Sequence, residues 1–599
     1  MHTTLYTLFM PPQDCFGDFG LLCGFTATSQ ILDQIQRSFT GEMTRPALAA
    51  FIHPTINAIS DIPGLAWMWM RPYDRGYNLL HAKVALLGFR KRADNGYIVR
   101  LAVSTGNWTR DPLTNSIDLF WSIDVDTTDP DPQSIADLCA AWSMFNWLRE
   151  RADCSLIERD YDGHRPDDRL AAAINRLEPS TVEPRFIDSR SQALFPQVVE
   201  RIGSRKKADR LILGSGYFES EGNGDAGLPE RLREALIQQK VLKKRSAELD
   251  LFLNPLSCQG LAARATALSE AGWNLRQPFS KLHGKEGRLH AKFVLLATGD
   301  QEVQGRLYLG SGNLSRNGFE VAANAGGNLE AGVVVDVPKG LNWRDKKGIA
   351  SLLPIQFSDT VPLATLQSGE DFVAPEEPTS LPPVAWLNWH EGVLSAPGNA
   401  EIVIIGPDGT PVQTPCAWPS PAPTIVTLAD VGWRLPVIAE GVLVAPRLTD
   451  MTVEDVLAGL GSFPEPPDRD QPEDGSEGSE PLPSAADAET PPATYAIRRM
   501  MELLVRLGER QKQIDQRDWQ RWCRELRQNL CAITEQEQTM INFFRSAAAN
   551  PLPVLMDPRM CPQGADIARL GETLDEALAS IAKAWKLSDY PSLWTGEVA

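Results

Sequence analysis

The chain has little histidine, no paired cysteines, no long apolar run and no excess of basic charge. Only 7 of its 599 residues are histidine, so the place of each carries information. Nine cysteines lie scattered from Cys15 to Cys561 without a CxxC pair; that pattern offers neither a zinc site nor a disulfide framework, and an odd number fits reduced, buried thiols. The apolar runs fall well short of the roughly 20 residues needed to span a bilayer, so no transmembrane helix is expected. The opening stretch, MHTTLYTLFMPPQDCFGDFG, lacks a basic segment followed by a long apolar one and a small-residue cleavage site, and the expected location is cytoplasmic. A net charge of −19 argues against a nucleic-acid binder that works through bulk positive charge. The charge is unevenly spread, however. Between Pro464 and Glu489 nine acidic residues stand against Arg469 alone, so eight of the nineteen negative charges belong to one segment and local basic grooves elsewhere stay open.

What is present is enough for several folding units, with 43% hydrophobic and 23% charged residues. Residues 462–493 are rich in Pro, Glu, Asp, Ser and Gly and poor in large apolar side chains, the composition of a disordered linker. Beyond it, 494–599 carries apolar residues at helical spacing, as in YAIRRMMELLVRLGERQKQID, and a helical domain is expected. Before it, 346–461 holds short apolar runs broken by Gly and Pro, the pattern of a small β module. The remainder reads as α/β and duplicated. LLCGFTA, PALAAFIHP, AWMWM, HAKVALLGF and IVRLAVSTGN in 1–155 are answered by DRLILGSGYF, ELDLFLNP, HAKFVLLAT and GRLYLGSGN in 156–345, so two similar α/β halves packed together are expected.

The duplication singles out its own chemistry. The first half has His81-Ala82-Lys83 and then Ser104-Thr105-Gly106-Asn107-Trp108-Thr109; the second has His290-Ala291-Lys292 and then Gly310-Ser311-Gly312-Asn313-Leu314-Ser315. If each HxK lies in a strand, its His and Lys share a face, the Asn after the next strand can stand beside them, and the neighbouring Gly lets the backbone approach a ligand. Two copies of His, Lys and Asn with no metal-ligand cluster suit phosphodiester cleavage without a metal or other cofactor. Two ammonium groups and two amides can stabilise the charge that builds on the nonbridging oxygens. One imidazole attacks phosphorus; the other protonates the leaving oxygen and then activates water.

Other features read as structural. His53, His164, His283 and His390 have no repeated partner. Trp67 and Trp69 fit a core, whereas Trp108, beside Asn107, fits a core or a base-stacking platform equally. Ser104, Thr105, Ser311 and Ser315 are weaker candidates for substrate contact. The basic runs Arg205-Lys206-Lys207 and Lys243-Lys244-Arg245, and Arg498, Arg499, Arg506 and Arg510, fit solvated faces better than a phosphate track.

These motifs resemble the phospholipase D superfamily, whose fold is two such α/β halves meeting at a shared site. Where the lipase and nuclease branches carry HxKxxxxD, this chain has Gly88 and Ala297. With Asn after each next strand it is more similar to the HxK...N pattern of the tyrosyl-DNA phosphodiesterase branch and its bacterial nuclease relatives. The resemblance covers roughly residues 15–340. It implies a pseudo-dimer with one site, His81 as nucleophile, His290 as general acid, and a downstream acid in each half, Asp118 and Glu330, that orients a histidine. DNA is the expected substrate and a role in bacterial genome defence or DNA processing follows by analogy. A phospholipase or phosphatidyl transferase would use the same chemistry, but no amphipathic basic helix stands beside the site to meet a membrane. An inactive nucleic-acid-binding or assembly module would have no need of two complete sets. The helical 494–599, which contains no histidine, is expected to dock a protein partner.

Overall fold

The computed structural model describes residues 5–443 and 496–593, apart from short stretches of which the longest is 371–380; the linker expected at 462–493 lies outside the described residues. The chain forms two compact units, Met1–Gln36 with Glu42–Arg447 and Arg37–Gly41 with Leu448–Ala599.

The first unit is built on two sheets. One contains β1 (Cys15–Gly24), β2 (Leu48–Ile52), β3 (Leu65–Met70), β4 (Val84–Lys91) and β5 (Tyr97–Ser104). After β6 (Ser116–Ile117), which stands outside it, this sheet also takes β7 (Phe120–Asp126) and β8 (Ala152–Asp153). The other contains β9 (Phe186–Asp188), β10 (Arg210–Gly214), β11 (Glu248–Phe252) and β12 (Trp273–Arg276), then, after the separate β13 (Arg288–Leu289), β14 (Phe293–Thr298), β15 (Gln304–Gly310) and β16 (Ala331–Asp336). Their orders are β7-β5-β4-β1-β2-β3-β8 and, read from the other edge, β9-β16-β15-β14-β10-β11-β12. Six strands therefore repeat in order. They repeat in direction as well: β1, β2 and β3 are mutually parallel, as are β10, β11 and β12, and the other three run antiparallel to their neighbours in both sheets. Only the seventh strand differs, β8 adding to β3 and β9 to β16.

β2 and β3 are continuous apolar runs, buried along their whole length, as strands covered on both faces are. All six residues of LAWMWM are buried, which puts Trp67 and Trp69 in the core; the Trp69 ring lies 5.6 Å from that of Trp433. In the second half, Leu194, Val198, Leu232, Leu236 and Leu268, from the helices Leu194–Arg201, Gly227–Gln238 and Leu261–Glu270, close over Leu211, Leu213, Leu249 and Leu251 of the sheet. A further sheet of short strands runs from Leu387–His390 to Val442–Leu443 in the region read as a β module. The second unit holds the helices Ala496–Lys512, Trp519–Cys531, Gln538–Ser546 and Ile567–Ala584 around Leu503, Trp522, Leu526, Leu574 and Trp585. Among the described residues no helix is long and apolar enough to cross a membrane.

At the end of β1 farthest from Gly24 the register to β4 slips between Gly17 and Phe19, a bulge that re-aims Asp18. Its buried carboxylate accepts from Arg169 at 3.0 Å and Arg45 at 3.4 Å, meets Arg90 at 3.1 Å, and accepts from the Tyr97 hydroxyl at 3.3 Å. One anion thus holds three cations around the start of a central strand. Asp18→Ala leaves them mutually repelling, and the expected cost is about 3 kcal/mol or more, read as a lower urea midpoint for the unit at constant slope.

Candidate active site

Neither HxK lies inside a strand: His81-Ala82-Lys83 ends just before β4 and His290-Ala291-Lys292 just before β14. This corrects the strand placement expected from the sequence, and the backbone explains it. The amides of His81 and Ala82 both donate to the carbonyl of Leu329, at 2.9 and 2.7 Å, and those of His290 and Ala291 both donate to that of Ile117, at 3.0 and 2.7 Å. Two successive amides on one carbonyl cannot belong to a ladder, where they point to opposite sides. Leu80 bridges Leu329, and β13 pairs with β6 in parallel, so each HxK is pinned to the other half of the chain.

The carbonyls that hold the two motifs belong to the residues just before the acids, and this sets the next contact. His81 Nδ1 lies 2.8 Å from Glu330 Oε2, and His290 Nδ1 lies 2.9 Å from Asp118 Oδ1. Each acid serves the histidine of the opposite half. Each is also fixed from behind. Thr105 donates to Asp118 Oδ1 at 2.9 Å and Ser116 to Oδ2 at 2.6 Å; Ser311 donates to Glu330 Oε2 at 2.5 Å and the Asn328 amide to Oε1 at 3.2 Å. Asn328 accepts in turn from Asn78, and the Ser189 hydroxyl accepts from the Glu330 amide at 2.8 Å while donating to the Asn328 carbonyl at 2.7 Å. Ser116 and Asn328 were not foreseen, although both stand two residues before an acid, where strand parity brings side chains to one face. Gly106 makes room: a Cβ there would sit 2.7 Å from Asp118 Cγ. The glycine admits a carboxylate, not the ligand expected from the sequence.

No protein-family model matches the chain, and no curated protein matches it in sequence. Among solved structures it is similar to yeast tyrosyl-DNA phosphodiesterase, with 14% identity and a TM-score of 0.37 over 55% of this chain and 86% of that one. A variant of the same yeast enzyme gives 12% and 0.38 over 58% and 92%. Similarity of this degree decides nothing; the site's capabilities follow from its own atoms.

Lys83 and Lys292 are completely buried. Their ammonium groups donate to the carbonyls of their own motif's histidine, at 2.6 and 2.5 Å, and Lys292 also to that of Thr105 at 3.3 Å, which joins the halves again. Burial first, and then for Lys83 the charge of Lys292, pushes Lys83 down to about 7; burial brings Lys292 to about 8. His81 is lowered to about 4, chiefly by burial, with Glu330 opposing and the lysine charges adding. His290 is lowered by burial and Lys292 against the pull of Asp118. Burial pushes the two acids up, but the facing imidazoles, the lysines and the hydroxyl donors outweigh it, and both Asp118 and Glu330 stay below the usual carboxylate range. The imidazoles differ in access: the His290 side chain is 32% exposed and that of His81 11%, with the Phe25 ring 5.7 Å from His81. Asn107 and Asn313 end the turns that carry Thr105 and Ser311, and the Oδ1 of each is buried with no hydrogen-bond partner among the described residues.

The weaker candidates go elsewhere. Trp108 is fully buried, donates to the Cys23 carbonyl at 2.8 Å and packs edge-on against Phe9, so it has no face for a base. Ser104 accepts from the Gly106 amide, Thr105 and Ser311 hold the acids, and Ser315 caps the short helix Arg316–Glu320; these hydroxyls shape the site and are engaged within the protein. His53 is buried with Nδ1 2.9 Å from the Thr55 hydroxyl, and His283 lies outside the described residues. Lys206, Lys207 and the run 243–245 flank the starts of β10 and β11, at the far end of the strands from His290. Arg205 lies outside the described residues, and Arg498, Arg499, Arg506 and Arg510 belong to the other unit.

The crossed pairs make a spectroscopic prediction. Glu330→Gln should disturb the Nδ1-protonated tautomer of His81 and leave that of His290, and Asp118→Asn should do the reverse, read from imidazole ¹⁵N shifts at pH 7; a shift at the same half's histidine would overturn the crossing. Stability should follow the same residue. Between the unperturbed 6.5 and about 4, the unfolded chain takes up a proton at His81 that the folded chain refuses. Stability therefore falls as pH drops through that window, and urea midpoints from pH 7 to 5 should fall less in His81→Gln.

Proposed function

We propose that the chain is a metal-independent phosphodiesterase, acting on DNA through a covalent phosphohistidine, with a phospholipase D-like fold in which the two halves form a pseudo-dimer around one site. The observation that carries this reading is an imbalance of partners. Both buried carboxylates are engaged by imidazoles and by polar side chains, while among the described residues the two buried ammonium groups donate only to carbonyls. An ammonium has three N–H donors. Lys83 and Lys292 thus keep donors for an anion brought into the site, and the Nδ2 donors of Asn107 and Asn313 complete it in this reading. A tetrahedral phosphodiester, which gathers negative charge on its nonbridging oxygens as it reacts, suits that need.

The roles follow from the crossed pairs. With Nδ1–H held by Glu330, His81 presents the lone pair of Nε2, and its deep burial keeps it neutral. That lone pair forms the N–P bond as the P–O bond breaks. The departing oxygen takes a proton from Nε2 of His290, the more accessible imidazole, whose cationic form Asp118 supports. His290, now neutral, removes a proton from water, the water oxygen bonds to phosphorus, and the N–P electron pair returns to His81. Asp118 and Glu330 hold tautomer and aim throughout.

Cleavage of DNA should persist in excess EDTA; complete loss there would sink the mechanism. His81→Ala and His290→Ala should each lower kcat by at least about a thousandfold, in line with the loss of a nucleophile or a general acid, with unchanged circular dichroism. In His290→Ala, phosphoprotein should accumulate with leaving groups that need no proton. Mixing the two variants should restore nothing, because one chain supplies both sets.

A further inference from the structure

The duplication reaches one layer behind the groups used above, and there the halves part. Cys23 pairs with Val84, the residue after Lys83, and Gly214 pairs with Phe293, the residue after Lys292. Two positions further on, Phe25 and Gly216 therefore occupy one place in the two halves. The neighbouring strands agree: Cys23 pairs with Phe51 and Gly214 with Phe252, so Phe51-Ile52-His53-Pro54 matches Phe252-Leu253-Asn254-Pro255. His53 and Asn254 are thus equivalent as well, and both are buried.

These places are used in opposite ways. In the first half the Phe25 ring, itself half-buried, meets two imidazoles, that of His81 at 5.7 Å and that of His53 at 5.2 Å, distances of direct ring contact. His53 has its Nδ1 2.9 Å from the Thr55 hydroxyl, and its amide donates to the Gly24 carbonyl at 3.1 Å, so it backs the ring from a fixed position. In the second half a Cβ on Gly216 would lie 2.6 Å from the Leu289 carbonyl oxygen and 2.9 Å from His290 Cα. No side chain can stand there, because the backbone entering His290 takes the room. Asn254 clamps that backbone instead, accepting from the Leu289 amide at 2.8 Å and donating to its carbonyl at 2.9 Å. One imidazole is covered by an apolar ring; the other is held through its main chain, and its side chain is the more exposed.

We infer that Phe25, backed by His53, is the positioning residue that makes His81 the nucleophile: it keeps water from that imidazole, while the glycine at the same place leaves His290 open to the leaving group and to water. The inference rests on the phosphodiesterase reading. A nucleophilic nitrogen is lost when it takes a proton, whereas a group that serves as acid and then activates water must be reached by water. The charged groups acting on His81 are Glu330, Lys83 and Lys292, and His53 stands behind the ring. Phe25 carries no charge, so its removal acts on His81 through water and leaves those groups in place.

The test compares full-length wild type, Phe25→Ala and Phe25→Leu. In imidazole ¹⁵N titrations the His81 midpoint should rise from about 4 to about 6 in Phe25→Ala as water reaches the ring, and less in Phe25→Leu, which restores part of the apolar cover; that of His290 should not move. On bis(4-nitrophenyl) phosphate, whose leaving group needs no proton, kcat/KM of Phe25→Ala should fall about tenfold at pH 5 and change less than about twofold at pH 8, with unchanged circular dichroism at both. Wild type quenched in alkali during turnover should carry the aryl phosphate on His81, read by peptide mapping. A His81 midpoint that stays in place, a rise shared by His290, or an equal loss of kcat/KM at both pH values would overturn the inference. An adduct on His290 in the wild type overturns it as well and leaves the phosphodiesterase standing. A wild type that cuts neither this diester nor DNA overturns both.

Discussion

Everything at the centre of this protein depends on two hydrogen bonds that cross the seam, Glu330 to His81 and Asp118 to His290. Each begins as a backbone event. Because Leu329 and Ile117 take the amides of the opposite HxK, the next residue on each segment is delivered beside the opposite imidazole with no freedom to choose another. The halves differ in chemistry, carboxylates of unequal length held by a threonine and a serine in one case and by a serine and an asparagine in the other, yet both arrive at one geometry.

The electrostatics follow from that geometry. Two lysines, two carboxylates and two imidazoles are buried together, and taking charges out of water is costly unless they are paired. Here the pairing is indirect. The carboxylates spend their acceptors on imidazoles and polar side chains, so their charge is stabilised, while the ammonium groups, which among the described residues donate only to carbonyls, lose basicity through burial. The formal charges of the two lysines and the two carboxylates thus cancel, but their partners differ in kind.

Much of this was legible because the chain states it twice. A lone HxK says little, but His81, Lys83 and Asn107 matched by His290, Lys292 and Asn313 mark a site, and the acids fall at matching places. The crossing was not legible. Aligning two halves pairs each acid with its own histidine as readily as with the other, and only the seam decides. The strand placement of HxK failed because a period of two fits an extended connection as well as a ladder. Thr105 and Ser311 were read as substrate contacts because a hydroxyl next to a site residue looks the same whether it faces a ligand or a carboxylate. Trp108 stood beside Asn107 in sequence, but its neighbour's parity turned it into the core. β6 and β13, two residues each, are too short for any periodicity to reveal, yet they help to set the register of the seam.

The pinning of each HxK by the opposite half bears on how such a protein could change over time. A chimera that took its first half from one relative and its second from another would inherit a histidine and its carboxylate from different parents, twice over. A drift of one residue in the segment before Glu330 would move the Leu329 carbonyl, and with it His81, which lies 249 positions from Glu330. The halves are therefore free to diverge in their outer strands and helices, as β8 and β9 already have, but the central segments must be inherited together.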